Sequence, residues 1–107
     1  MSKPRAYWWS YAKAMIRAYP ELKRKAEAQE PLSNTKQREL AAVTQAIERT
    51  QQMRTGDIRL SVVGMVLWQK GYTVDGAAVK HNCSKQTAKL YHGDFVRLVG
   101  ECYGLAD

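Results

Sequence analysis

The stretch GYTVDGAAVKHNCSKQTAKLYHGDF, from Gly71 to Phe95, decides how the fold of this chain is interpreted. It opens with a glycine and is interrupted once, at residues 81–84, where His-Asn-Cys-Ser separates two apolar clusters. The two flanking segments would be either a DNA-reading helix-turn-helix or two short helices of an ordinary bundle. The pattern alone leaves both interpretations open, because helix-turn-helix patterns occur in many unrelated proteins.

The first half of this stretch predicts a short helix. Thr73 is placed to cap it, and it is expected to run to about His81. Asn82 and Cys83 supply a turn, since asparagine tolerates a left-handed backbone. A helix that crosses a neighbour closely needs small side chains at the crossing, and the expected inward residues are Ala77, Ala78 and Val79.

The second half predicts a longer helix that Ser84 caps by accepting a hydrogen bond from the N–H of Gln86 or Thr87. Gly104 is the expected stop. Apolar residues keep helical spacing along its whole length, at Ala88, Tyr91, Phe95, Leu98, Val99 and Cys102.

Opposite that apolar stripe, the spacing places Lys85, Gln86, Lys89 and His92 on a solvated face. These side chains suit a major groove, because glutamine pairs with adenine and lysine with guanine. The start of the helix is suited to a phosphate group. The alternative is that these residues are only the solvent face of an amphipathic helix.

Working outward, helical periodicity continues through the N-terminal half. It predicts a helix from about Arg5 to Tyr19, and a second from Pro20 to about Gln29, since proline is tolerated at a first helical position. The second would carry Leu22 and Ala26 inward.

A third helix is expected after the break at residues 31–34, capped by Asn34 or Thr35, with an apolar stripe at Leu40, Val43 and Ile47. Asp57 is expected to cap a fourth helix that ends at Gly71. Its stripe comprises Ile58, Val62, Val63, Val66 and Leu67.

The charge of the chain indicates a polyanionic partner. There are 17 Lys+Arg against 10 Asp+Glu, a formal net charge of +7, which favours nucleic acid first and an anionic membrane second. Residues 1–54 carry +6 of that charge and residues 55–107 only +1. Phosphate attraction is therefore expected partly from the N-terminal half, at Lys23, Arg24 and Lys25, unless that triplet is only a solvated helix face.

Other classes of protein find little support in the sequence. The longest apolar run, Val62–Trp68, is too short to span a bilayer, and the isolated thiols Cys83 and Cys102 indicate a reducing cytoplasm. Together with His81 and His92 these cysteines lack zinc-ligand spacing, so neither a metal nor another cofactor is expected. No catalytic motif is present, so the protein is not expected to be an enzyme.

Four large aromatic residues lie near the N-terminus, at Tyr7, Trp8, Trp9 and Tyr11. Their helical spacing favours packing in a core. Docking to a second copy or to a polymerase is the functional alternative.

The chain resembles a known group from about Ile58 to Leu105. Tyr72–Ala78, Ser84, Thr87–Ala88, Tyr91–Phe95 and Arg97–Val99 resemble the C-terminal part of small bacteriophage regulators of late-gene transcription, the ArpU/RinA-like group. The arrangement is also similar to region four of bacterial sigma factors, the helix-turn-helix that reads the −35 promoter element.

The resemblance implies a role for each polar position of the stretch. Thr73 and Ser84 would contact phosphate, while Lys85, Gln86 and Lys89 would face bases, with His92 as an addition. Lys80 joins the triplet Lys23, Arg24 and Lys25 as a further phosphate contact.

We therefore expect an all-α protein, with an N-terminal helical region over residues 1–54 and a C-terminal helix-turn-helix, similar to sigma region four, over residues 55–107. The expected function is sequence-specific binding of double-stranded DNA that regulates phage late genes for packaging and lysis, in the bacterial cytoplasm. A DNA-recognising small terminase subunit is one alternative, and a module that binds polymerase or sigma factor without touching DNA is another. Host RNA polymerase is a further candidate partner, no membrane is expected, and homo-oligomerisation stays open.

Overall fold

Five helices make up most of the part of the chain that the computed structural model describes, residues 7–69 and 73–105. They are α1 (Trp9–Glu27), α2 (Asn34–Gln51), α3 (Gly56–Val63), α4 (Val74–Lys80) and α5 (Lys85–Tyr103). A π-helical turn, Gly64–Trp68, continues α3. These described ranges contain no strand, which confirms the predicted all-α class. The Cα radius of gyration is 14.0 Å, close to the value of about 13 Å that a compact domain of this length has.

The predicted break at Pro20 is wrong, because α1 runs through it. A proline inside a helix has no N–H for the carbonyl four residues earlier, and that carbonyl belongs to Ile16. The indole Nε1 of Trp68 donates a hydrogen bond to this oxygen at 2.5 Å. A side chain from far along the chain thus replaces the bond that proline cannot make, and the two predicted N-terminal helices are one. The predicted start at Arg5 lies outside the described residues.

The helix α2 forms where a third helix was expected, but Ser33 caps it, by accepting a hydrogen bond from the N–H of Lys36 at 3.1 Å. Of the stripe, Val43 is buried, and Leu40 and Ile47 are partly buried. On α1, Leu22 is buried as predicted, whereas Ala26 is exposed.

The helix α3 begins at Gly56, so Asp57 lies in its first turn and is not its cap. Ile58, expected in the stripe, is 44 % exposed, and the buried side chains of α3 are those of Val62 and Val63, one turn later. The helical path ends with Trp68, and Gln69 is extended. The predicted stop at Gly71 lies outside the described residues.

Two clusters of buried side chains hold the helices together. The main core combines residues of α1, α2, α3 with its π-helical turn, and α5, together with Trp8 before α1: Trp8, Ala12, Met15, Ile16, Val43, Ala46, Val63, Leu67, Phe95, Val96 and Val99. The small core lies where α4 packs on α5 and on the α3 segment, and comprises Val62, Met65, Ala77, Ala78 and Ala88.

A polar clamp closes one end of the main core. The buried carboxylate of Glu39 accepts hydrogen bonds from the Tyr11 hydroxyl at 2.5 Å and from Lys36 Nζ at 3.1 Å. The ring of Tyr11 also meets that of Tyr103 edge-on, at a centroid distance of 5.6 Å. Burial and the bond to Glu39 raise the pKa of Tyr11 above its ordinary value. The clamp thus links α1, α2 and the end of α5.

Candidate nucleic-acid interface

The segment around α4 is built from local signals that the sequence predicted. Thr73 Oγ1 accepts a hydrogen bond from the N–H of Gly76 at 3.0 Å, which confirms its role as the cap. The helix ends at Lys80, one residue before the expected end. Asn82 has a φ of +53°, which confirms the left-handed turn. Four residues, 81–84, thus separate α4 from α5.

Alanines bring α4 into close contact with α5. Ala77 and Ala78 are buried as predicted, and Ala88 of α5 belongs to the same small core. The inward placement of Val79 is wrong, because its side chain is 79 % exposed. Successive helical residues lie about 100° apart, so a contact made by Ala77 and Ala78 turns Val79 toward solvent.

The start of α5 is capped as expected. Ser84 Oγ accepts a hydrogen bond from the N–H of Thr87 at 3.0 Å and donates one to Thr87 Oγ1 at 2.9 Å. The predicted stop is also confirmed, since Gly104 has a φ of +94°. The hydroxyls of Thr73 and Ser84 therefore have structural roles as caps, and their contacts to phosphate stay predictions.

Three of the predicted base-facing residues lie together on the exposed surface of the first turns of α5: Lys85, Gln86 and Lys89. Lys85 Nζ lies 3.2 Å from Asp75 Oδ2 of α4. Both side chains are largely exposed, so this ion pair contributes only about 0–1 kcal/mol and leaves Lys85 able to exchange partners.

His92 does not lie on the solvated face where the spacing placed it, because it is half-buried. It lines a cavity of about 400 Å³ together with Trp9 and Lys13 of α1 and with Lys89. The reason is that α1 crosses α5 at this level, which the periodicity of α5 alone does not reveal. A direct role for His92 in reading bases is therefore the weakest of the predicted contacts.

The orientation of α5 is set by contacts from the α3 segment. The Arg59 guanidinium lies 3.0 Å from Asp94 Oδ2 and 4.5 Å from the centroid of the Tyr91 ring, and its Nε donates to Thr55 Oγ1. At the turn, His81 Nε2 is 3.2 Å from Met65 Sδ. The turn between α4 and α5 and the middle of α5 are thus both in contact with the preceding helical segment.

Three exposed residues of α5 were not among the predicted site residues: Leu90, Arg97 and Glu101. Leu90 and Arg97 lie four and eleven residues after Gln86, a spacing that places all three on one side of a helix. The prediction considered only polar side chains and therefore omitted Leu90. Its position off the apolar stripe, which contains Ala88 and Tyr91, could have indicated that it is exposed.

The predicted N-terminal phosphate contacts differ in their surroundings. Lys23 is exposed and Lys25 is partly buried. Arg24 forms ion pairs with Glu21 at 2.7 Å and Glu30 at 3.3 Å, and its hydrogen bond lowers the pKa of Glu21. The charge of Arg24 is thus partly neutralised within the chain, which favours the solvated-face interpretation at that position.

Lys80 is exposed at the last position of α4, next to the turn. It therefore belongs to the α4–α5 unit itself, unlike the N-terminal triplet.

The aromatic cluster divides between the core and the surface. Trp8 is buried in the main core and Trp9 is partly buried against it, as the packing interpretation predicted, whereas Tyr7 is 91 % exposed. Cys102 also packs against the main core, and burial raises the pKa of its thiol. Among the described residues, no three His, Cys, Asp or Glu side chains are grouped so that they could hold a metal ion.

No protein-family model matches this chain, and no curated protein or solved structure matches it either. In the described part of the chain, no helix is both long enough and apolar enough to cross a bilayer.

Proposed function

We propose that the protein binds double-stranded DNA in a sequence-specific manner and regulates transcription, with phage late operons as its targets and the bacterial cytoplasm as its location. In this proposal α4 and α5 form a helix-turn-helix, with α5 in the major groove and α4 across its edge.

The observation that carries the proposal is the construction of the α4–α5 unit. Two capped helices are joined by four residues, which matches the short turn of this motif. Their contact is made by the alanines Ala77, Ala78 and Ala88. The exposed start of the second helix carries Lys85, Gln86 and Lys89, and the major groove, about 12 Å wide, admits an α-helix.

The charge supports a nucleic-acid partner as well. The chain carries a formal net charge of +7, which draws a protein to phosphates regardless of base sequence. Specificity then has to come from side chains at the start of α5, because phosphate contacts carry no sequence information.

The experiment that tests the proposal begins with selection of bound duplexes from a random library. We expect Gln86→Ala to cost about 1–3 kcal/mol of binding free energy on the selected duplex and much less on random DNA. Gln45→Ala is the matched control, because Gln45 is an exposed glutamine on α2. Equal losses on both duplexes would remove the base-reading role of Gln86, and a library that yields no bound duplex would refute DNA binding altogether.

A further inference from the structure

The two glycines of α5 differ in what surrounds them. A Cβ added at Gly100 would lie 2.5 Å from the Trp8 ring, so close packing requires glycine there. A Cβ added at Gly93 would meet only the ring of Trp9 of α1, at an ordinary 3.8 Å, at the wall of the cavity that His92 also lines. Because glycine destabilises a helix interior relative to alanine, Gly93 has a cost that the described packing does not explain. Close approach of a partner outside the chain would explain it.

Leu90 lies on the face that such a partner would approach. Its side chain is 54 % exposed, and it lies three residues before Gly93 and four after Gln86. An exposed leucine is not informative by itself. Its position is informative, because Gln86, Leu90, Gly93 and Arg97 follow one another at helical spacing and form a single stripe about 16 Å long.

The charges along this stripe favour DNA over an apolar protein surface. Lys89 lies beside Leu90, and Arg97 ends the stripe. Of the acidic side chains of α5, Asp94 at the edge of the stripe is paired with Arg59 at 3.0 Å, whereas Glu101, one turn after Arg97, is exposed. Leu90 is thus a single apolar side chain between the cations Lys89 and Arg97. Such a surface is complementary to a polyanion that also displays small apolar groups. In the major groove, that apolar group is the C5-methyl of thymine.

We propose that Leu90 contacts the methyl group of a thymine in the major groove, and that the absence of a side chain at Gly93 lets the duplex approach α5 closely enough for this contact. The inference rests on the proposed function and adds to it a base preference that the polar residues do not provide.

Deoxyuridine tests the methyl contact directly, since it lacks only that group. The probe is the selected duplex, prepared once with thymine and once with deoxyuridine at every thymine position. We expect wild-type protein to bind the deoxyuridine duplex about fourfold more weakly, the equivalent of about 0.8 kcal/mol for one buried methyl. Leu90→Ala should bind the thymine duplex about fourfold more weakly and should no longer distinguish the two.

Val79→Ala is the matched control, because Val79 is an exposed apolar residue of α4. That variant should keep the wild-type discrimination between the two duplexes. If wild type and Leu90→Ala lose the same factor on deoxyuridine DNA, or if neither loses any, the role of Leu90 is overturned while sequence-specific binding stands. If no duplex is selected at all, both proposals fail.

Gly93→Leu tests the close approach separately. The described packing leaves space at this position, so we expect an unchanged or higher melting temperature. Binding to the selected duplex should weaken by at least about fivefold, which corresponds to about 1 kcal/mol of steric overpacking. Unchanged affinity in a stable Gly93→Leu variant would show that the duplex does not approach Gly93, and would overturn that half of the proposal.

Discussion

The main core and the small core differ in the size of the side chains that fill them. Only two of the eleven residues of the main core are alanines and the others are larger, whereas three of the five residues of the small core are alanines. Because hydrophobic stabilisation grows with buried apolar area, the main core supplies most of the stability. The small core instead sets the distance between α4 and α5, because small alanine side chains let the two helices approach closely. Stability and the proposed DNA-reading geometry thus reside in different parts of one small fold.

The largest expected effect is in the main core. Ile16 is fully buried there, so Ile16→Ala should lower the free energy of unfolding by about 2–5 kcal/mol. Ile58→Ala is the matched control: Ile58 is partly exposed, and we expect a loss below about 1 kcal/mol. Urea denaturation of both variants measures the difference. Similar losses at the two positions would contradict the assignment of stability to the main core.

The next effect tests the small core by adding volume. Ala77→Leu and Ala78→Leu should each overpack the crossing of α4 and cost about 1–3 kcal/mol of stability. Val79→Leu, on the exposed side of the same helix, should be nearly neutral. Thermal melts decide the matter: near-neutral results at both alanines would mean that α4 does not cross α5 tightly, and the helix-turn-helix interpretation would lose its support.

Local signals in the α4–α5 unit were read correctly from the sequence, whereas the caps predicted at Asn34 or Thr35 and at Asp57 were wrong. The caps at Thr73 and Ser84, the turn at Asn82 and the stop at Gly104 each depend on one residue and its near neighbours, and the structure confirms all four. These features define the α4–α5 unit, so its outline could be predicted from the sequence.

Features that depend on distant contacts were not predicted. Continuation of α1 through Pro20 depends on Trp68, which is 48 residues away in the sequence. The partial burial of His92 depends on α1 crossing α5. In the candidate site, the prediction named the polar residues Gln86 and Lys89, which are exposed, and omitted Leu90, although its position off the apolar stripe of α5 already indicated exposure.

The smallest expected effect concerns the ion pair between the two helices of the α4–α5 unit. Asp75 of α4 lies 3.2 Å from Lys85 Nζ, and both side chains are largely exposed. Asp75→Asn should therefore change the free energy of unfolding by less than about 1 kcal/mol. It should affect DNA binding more clearly, because it removes a negative charge beside the proposed interface and releases Lys85 to interact with the duplex.

One additional cation at a phosphate steepens the plot of log affinity against log salt concentration by about 0.9. The advantage of Asp75→Asn over wild type should thus be about threefold greater in 50 mM salt than in 200 mM salt. Asp57→Asn is the control, since Asp57 is an exposed aspartate in the first turn of α3, outside the α4–α5 unit. A salt dependence that Asp75→Asn leaves unchanged would place Lys85 away from the phosphates. An equal change in both variants would indicate only a general response to net charge. A steeper salt dependence in Asp75→Asn alone would place the first turn of α5 at the DNA surface, in the position that the small core gives it.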